Sequence, residues 1–171
     1  MQHQSEAMKH SEKEMNHSRK GKYARFLAMV ATSTALMFAV SYLNTYAGDH
    51  VFFSETRSYM ALLMGATMLV VMLAFMLKMY KDPTKNLMLV AGAAVVFFAA
   101  LWLVRSQRTV DDVSYMRAMI PHHSIAILTS ERAQITDPRV RKLADEIIES
   151  QRREIAEMKV LIADLEARGD E

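Results

Sequence analysis

Three long apolar runs constrain this chain more than any other feature of its sequence. They cover residues 23–43, 59–80 and 86–104, and the third run contains no charged residue. A bilayer has a hydrocarbon core of about 30 Å, which a helix of about 20 apolar residues crosses. The sequence therefore predicts three transmembrane helices in a lipid bilayer. The first run follows a polar tail and precedes two further spans, which is not the pattern of a cleaved signal peptide.

The distribution of lysine and arginine predicts the orientation of these spans. Basic residues cluster before and at the start of the first span and again in the turn between the second and third spans. By the positive-inside rule both clusters are cytoplasmic. We therefore expect a cytoplasmic tail at 1–22, a membrane anchor at 23–104 and an outward segment at 105–171. The loop with Asp49 and His50 also lies outside and is expected to be solvated. The basic residues follow topology, and no nucleic-acid partner is expected.

The cytoplasmic tail contains a short internal repeat. Met-x-His recurs at seven-residue spacing, as Met1/His3, Met8/His10 and Met15/His17. In an extended chain each pair offers a thioether and an imidazole on one side, whereas in a helix the three histidines share a face. Two interpretations stay open: a tail that binds metal, and a polar, disordered tail beside the membrane.

The second span carries a ladder of methionines. They are Met60, Met64, Met68, Met72 and Met76, followed by Met79. Soft thioethers suit Cu(I) or Ag(I), but no ionisable residue accompanies the ladder between residues 60 and 77. Because such residues usually mark an ion path, we expect the methionines to pack against neighbouring helices. Small residues at four-residue spacing, such as Ala61 and Gly65, predict close helix contacts.

The outward segment is predicted to form an antiparallel pair of helices. Thr109 with Asp112 resembles an N-terminal capping pattern, and Asp137 before Pro138 marks the start of the second helix. One face of that helix is apolar and comprises Val140, Leu143, Ile147, Ile155, Met158, Ile162 and Leu165. Two helices bury little apolar area. We therefore expect the hairpin to pair with a second copy in a four-helix bundle, or to dock on the membrane spans.

Two methionines and two adjacent histidines surround a proline in the first hairpin helix, in the stretch YMRAMIPHHS. Met116, Met119 and His123 share one stripe of a regular helix, whereas His122 is rotated from that stripe by about 100°. Pro121 has no N–H to donate, so a kink with a freed carbonyl is expected. Both histidines therefore reach one ion only if the backbone deviates.

The second hairpin helix supplies possible partners for these side chains. Pairing residues equally far from the turn sets His123 opposite 149–151, beside a stripe of Gln151, Glu154 and Met158. A buried carboxylate and amide need partners, which the imidazoles provide. Without cysteine, Met and His ligands favour Cu(I) or Ag(I), while His with carboxylate also accepts Cu(II) or Zn(II).

The candidate metal ligands are thus Met116, Met119, His122, His123, Gln151, Glu154 and Met158. We expect copper, Cu(I) before Cu(II), with other metals left open. The alternative is a helical oligomerisation or interaction module, in which a histidine bonds Glu154 structurally and the methionines pack. A ferritin-like oxidase is disfavoured, because the hairpin lacks the Glu-x-x-His of di-iron bundles. Zinc-protease and nucleophile-elbow patterns are also absent from the sequence, so no enzyme is expected.

A family resemblance enters at these residues. The stretch YMRAMIPHHSIAI, followed by DPRVRKLADEIIESQRREIAEMKVLI, resembles the domain-of-unknown-function 305 family over roughly residues 108–165. The family's motif falls here on Met119, His122, His123, Gln151, Glu154 and Met158. Ser124 stands where Gln is usual, and Leu128 where a further Met is common. The resemblance implies a ferritin-like domain, secreted or membrane-anchored in bacteria, whose relatives bind copper and contribute to copper tolerance.

Together these observations predict an all-α membrane protein with three transmembrane helices and an extramembrane helical hairpin, a ferritin-like half-bundle. The expected location is a bacterial inner membrane, with the tail in the cytoplasm and the hairpin in the periplasm. The expected function is copper binding, to buffer the ion or to hand it on. A homo-oligomer formed through the hairpin is expected as well.

Overall fold

Five α-helices make up most of the chain in the computed structural model, which describes the backbone of residues 2–169 and the side chains of residues 21–169. They are α1 Gln2–Val40, α2 Glu55–Phe75, α3 Pro83–Ser106, α4 Asp112–Arg132 and α5 Pro138–Arg168, with a 3-10 turn at Gly48–His50. From residue 2 to residue 169 there is no strand. The predicted all-α architecture is confirmed.

The N-terminal tail is helical in its backbone from Gln2 onward, as part of α1. The side chains of the Met-x-His repeats lie outside the described residues. Metal binding by the tail stays a prediction.

Three helices are long and apolar enough to cross a membrane, and the protein is membrane-associated as predicted. The spans are Gly21–Val40, Glu55–Phe75 and Pro83–Ser106. The last two begin earlier than the apolar runs, because polar residues start the helices. Ser54 Oγ accepts a hydrogen bond from the Arg57 backbone N–H in the first turn of α2, at 3.3 Å. Asp82 accepts one from the Lys85 N–H at 3.2 Å, and Pro83 suits the first helical position.

The chain divides into two compact units, residues 1–36 with 62–98 and residues 37–61 with 99–171. The first unit has an apolar cluster of Tyr23, Phe26, Val30, Leu73 and Tyr80. Three methionines of the ladder, Met68, Met72 and Met76, pack against this cluster. The side chains of Met68, Met72 and Met76 thus pack as expected. Met64, by contrast, is 44% exposed.

Gly65 marks a close approach between α1 and α2 within the first unit. A Cβ atom added there would collide with the Thr34 side chain, reaching Oγ1 first and Cγ2 at 3.0 Å. Gly92 in α3 has nothing within 4 Å of the same position. The close helix contact predicted from the small residues is confirmed at Gly65.

The second unit contains the predicted antiparallel hairpin of α4 and α5. Its core consists of Met116, Ile120, Ile127, Ile155 and Ile162. A side chain from the loop between α1 and α2, Phe52, packs against the same core. The hairpin thus contacts the loop of the membrane anchor, whereas the partners expected from the sequence were a second copy of the hairpin or the membrane spans.

The start of α4 differs from the prediction by two residues. Asp111 is the capping residue, and its Oδ1 accepts a hydrogen bond from the Ser114 N–H at 2.7 Å. The hydroxyl of Thr109 instead lies 2.8 Å from the Tyr59 hydroxyl. Pairing Thr109 with Asp112 was therefore wrong, because Thr109 is held by another helix.

The register of the hairpin is displaced by about one helical turn from the symmetric pairing. His123 contacts Glu154 rather than 149–151. The chain leaves α4 in an extended conformation at Ala133, with φ −67° and ψ 135°. An extended residue advances the chain by about 3.3 Å. The connection therefore extends beyond the end of α4 before α5 begins, and this shifts the pairing of the two helices.

The start of α5 is as predicted, but its first two apolar residues are not buried. Asp137 Oδ1 accepts a hydrogen bond from the Arg139 N–H at 2.8 Å, and Pro138 is the first helical residue. Val140 and Leu143 remain 49% and 56% exposed. At the start of α5 it is Arg141 that contacts α4, by donating to the backbone carbonyl of Ser130 at 3.0 Å.

Candidate metal-binding groove

An open groove of about 640 Å³ lies between α4 and α5. Five of the seven predicted ligands line it, namely Met116, Met119, His123, Glu154 and Met158. Its charged lining comprises Asp112, Glu154, Glu157 and Asp164 against Arg168. Four carboxylates against one guanidinium make the groove negative, which raises the local concentration of cations.

Both ring nitrogens of His123 face oxygen atoms. Nδ1 lies 2.9 Å from the backbone carbonyl oxygen of Met119, and Nε2 lies 2.7 Å from Glu154 Oε2. A carbonyl only accepts, so Nδ1 carries a proton and donates it. Nε2 and the carboxylate need a shared positive centre, either a second proton or a cation. Histidine ligands in metal sites are commonly oriented by such a bond from the other ring nitrogen.

Glu154 is held by its own helix as well as by His123. The Ser150 hydroxyl donates to Glu154 Oε1 at 2.6 Å. This hydrogen bond, and after it the one from His123, lower the pKa of Glu154 against the opposing effect of burial. The carboxylate is therefore ionised at neutral pH. The same contact to His123 is the one that a purely structural histidine would make.

Two predicted ligands do not line the groove. Gln151 Nε2 lies 3.4 Å from Glu154 Oε2 and contacts the groove only through that carboxylate. His122 is exposed, and its ring centroid is 6.3 Å from that of His123, with the planes at 72°. It lines a different hollow, together with Arg57. His122 was predicted as a ligand of the same ion on the condition that the backbone deviates at Pro121, and α4 continues as a helix through that proline.

The donor set fits a soft ion. Within residues 21–169, no three His, Asp or Glu side chains are grouped so that they could hold a metal. Three methionines and one histidine line the groove instead, and sulfur ligands suit Cu(I) rather than Zn(II) or Mg(II). Leu128, where a further Met is common in the family, does not line the groove, whereas Met116 does.

The loop between α1 and α2 docks beside the groove, a contact that the sequence did not predict. Ser124 is fully buried, and its Oγ accepts a hydrogen bond from the Tyr46 N–H at 2.7 Å. His50 Nδ1 lies 3.0 Å from the same oxygen, and Asp49 pairs with Lys159 at 2.6 Å. The expectation of a solvated loop holds for Asp49, whose side chain is 71% exposed, but not for His50, which contacts Ser124 of α4.

Burial governs the ionisation of the docked histidine. The side chain of His50 is 13% exposed. Burial lowers its pKa, while the carboxylate of Asp49 raises it and the ammonium of Lys159 lowers it. Since burial is the largest of these effects, the ring is neutral at neutral pH. One of its nitrogens can then bond the Ser124 hydroxyl without a buried charge.

The fold and the groove define a membrane-associated protein whose helical hairpin carries a thioether-rich groove. The family described as "Domain of unknown function (DUF305)" matches residues 106–170. The chain is also similar to an uncharacterized protein, L153, of Acanthamoeba polyphaga mimivirus, at 36% identity over 106 residues, 61% of this chain and 68% of the viral protein. It belongs to the DUF305 family. The aligned length exceeds the family domain, so the similarity extends into the rest of the chain.

No solved structure matches this chain.

Proposed function

We propose that this protein binds Cu(I) in the groove between α4 and α5 and buffers the ion or hands it on. One observation carries the proposal: Met116, Met119, Met158 and His123 line a single groove. Soft ligands of this kind select Cu(I). The role is binding rather than catalysis, and the ion is cargo.

The surroundings of these ligands support the same function. The carboxylates of the groove favour the approach of a cation. The carbonyl of Met119 accepts from His123 Nδ1, which leaves Nε2 as the ring nitrogen directed toward the groove. Glu154, ionised at neutral pH, adds an oxygen donor beside the thioethers.

We place the protein in a bacterial inner membrane, with the tail in the cytoplasm and the hairpin in the periplasm. The lysines and arginines of the sequence support this orientation, and the resemblance to bacterial anchored domains supports the location. A homo-oligomer formed through the hairpin belongs to the same proposal. It is supported by the exposed Val140 and Leu143 at the start of α5.

Removal of the three groove sulfurs tests copper binding. The full chain, purified anaerobically in detergent, competes for Cu(I) with a chromogenic chelator. The triple variant Met116→Leu, Met119→Leu, Met158→Leu keeps similar side-chain volumes, a change that cores tolerate. The Cu(I) affinity of this variant should fall by more than about tenfold. A tenfold loss is the low end of what removing an outer-shell partner of a ligand causes.

The control is Met88→Leu, which removes a thioether that is 69% exposed on α3. It should leave the affinity unchanged. An unchanged affinity in the triple variant would exclude the groove as the copper site.

A structural role of His123 is the second candidate, because its contact with Glu154 at 2.7 Å satisfies a half-buried ring without any metal. The hairpin would then be an interaction module. In that case His123→Gln lowers the melting temperature of the hairpin and leaves the Cu(I) affinity at its wild-type value. Copper binding predicts that the same substitution weakens the affinity.

A further inference from the structure

A second hollow, of about 370 Å³, borders Met119 and differs in charge from the groove. It lies between the start of α2, the segment after α3 and the outer side of α4. Its basic lining residues are Arg57 and His122, Tyr115 adds a phenol, and no carboxylate is among the described residues that line it. A cation is therefore disfavoured here, and an anion is favoured.

Arg57 is fixed in position by uncharged groups. Its guanidinium donates to the backbone carbonyl of Ser41 and lies 4.6 Å from the centroid of the Tyr42 ring. Neither contact neutralises the positive charge. A guanidinium has five N–H donors in a planar fork that matches the oxygens of a phosphate.

The place of the hollow in the chain indicates the source of that phosphate. Arg57 lies in the first turn of the membrane span Glu55–Phe75, and Gln107 follows the end of the span Pro83–Ser106. Both residues line the hollow, so it lies where spans meet the polar headgroups. Gln107 adopts a left-handed conformation, with φ 51°. Its amide accepts from Thr56 at 3.3 Å, which joins the two segments.

We propose that this hollow binds the phosphate of a membrane phospholipid in the leaflet on the hairpin's side. Arg57 is the principal donor, and the exposed ring of His122 is the second. The lipid would fix the hairpin against the bilayer surface. This site does not depend on copper binding in the groove, and it gives His122 a role other than the metal ligation predicted from the sequence.

Lipid binding by charge variants of the full chain tests the proposal. Native mass spectrometry in a phosphate-free detergent measures the binding of added phosphatidylglycerol. The wild type should retain one tightly bound lipid. Arg57→Gln should weaken this binding about tenfold or more, as expected for a charge-assisted hydrogen bond. The control Arg132→Gln, an exposed arginine at the end of α4, should bind as the wild type does.

Two further measurements keep the test decisive. His122→Gln leaves the contacts of Arg57 with Ser41 and Tyr42 in place, and it too should weaken lipid binding if the hollow is the site. Wild-type affinity in both Arg57→Gln and His122→Gln would overturn the proposal. Titration with inorganic phosphate distinguishes the sources, because binding of free phosphate without any binding of phosphatidylglycerol would overturn the assignment to a lipid.

Discussion

Ser124 is fully buried one residue after the groove histidine. Its hydroxyl holds the loop between α1 and α2 through the Tyr46 N–H and the ring of His50. A larger side chain would have no free space at this fully buried position. The small side chain therefore lets the loop approach α4.

Ser124→Ala should lower the free energy of unfolding by about 1–3 kcal/mol, because it leaves the Tyr46 N–H and His50 without a partner. Chemical denaturation of the full chain in detergent measures this change. Ser106→Ala is the matched control, since Ser106 Oγ is buried without a hydrogen-bond partner among the described residues. That substitution should be neutral or stabilising. Equal losses in the two variants would contradict a specific role for Ser124.

At the scale of helices, short capping sequences determine where α3 and α5 begin, and one glycine allows close contact between α1 and α2. The pairs Asp82–Pro83 and Asp137–Pro138 start α3 and α5 in the same way, with a capping carboxylate before a proline. Close packing of α1 and α2 depends on Gly65, whose missing side chain makes room for Thr34.

Gly65→Ala should destabilise the first unit by about 1–3 kcal/mol, the usual cost of overpacking. Gly92→Ala adds the same methyl group to a span where nothing is within 4 Å, so it should not destabilise. Thermal unfolding in detergent compares the two. Adding Thr34→Ala to Gly65→Ala should restore stability, and a failure of this rescue would show that the collision is not the cause.

At the scale of the whole chain, the hairpin is not a self-contained domain. The family match begins at residue 106, yet the hairpin core includes Phe52 and its surface is tied to Asp49 by Lys159. Two helices alone bury little apolar surface. The membrane anchor therefore supplies part of the structure that holds the groove.

Phe52→Ala in the full chain should lower the free energy of unfolding of the hairpin. The loss should be smaller than the value of about 3–5 kcal/mol that is typical of a fully buried phenylalanine, because Phe52 is only half-buried. Phe53→Ala, at a neighbour that is 64% exposed, should have little effect. Hydrogen exchange of the α4 and α5 amides measures the difference. Identical exchange in the two variants would mean that the loop does not stabilise the hairpin.

Local and periodic features of the sequence predicted much of the fold. The apolar runs gave the spans, Asp137 with Pro138 gave the start of α5, and the i, i+3, i+7 stripe placed Met116, Met119 and His123 on one groove wall. His122, by contrast, was predicted as a ligand beside His123 and lines the other hollow instead.

Contacts distant in the sequence were not predictable in this way. The pairing of His50 with Ser124 joins residues 74 apart, and neither residue forms part of a periodic pattern. The hairpin register depended on the extended conformation of the connection at Ala133, which symmetric pairing ignores. The loop contact and the hairpin register were both missed for the same reason. A periodic pattern in the sequence indicates local structure but does not indicate which distant residues that structure contacts.

Met119 lines both the groove and the neighbouring hollow. Met119 thus lies between the groove proposed to bind Cu(I) and the hollow proposed to bind a lipid phosphate. Whatever immobilises that side chain from one side alters the cavity on the other. If both ligands bind, thermodynamic linkage requires the effect to be reciprocal: the lipid would change the affinity for copper by the same factor by which copper changes the affinity for the lipid.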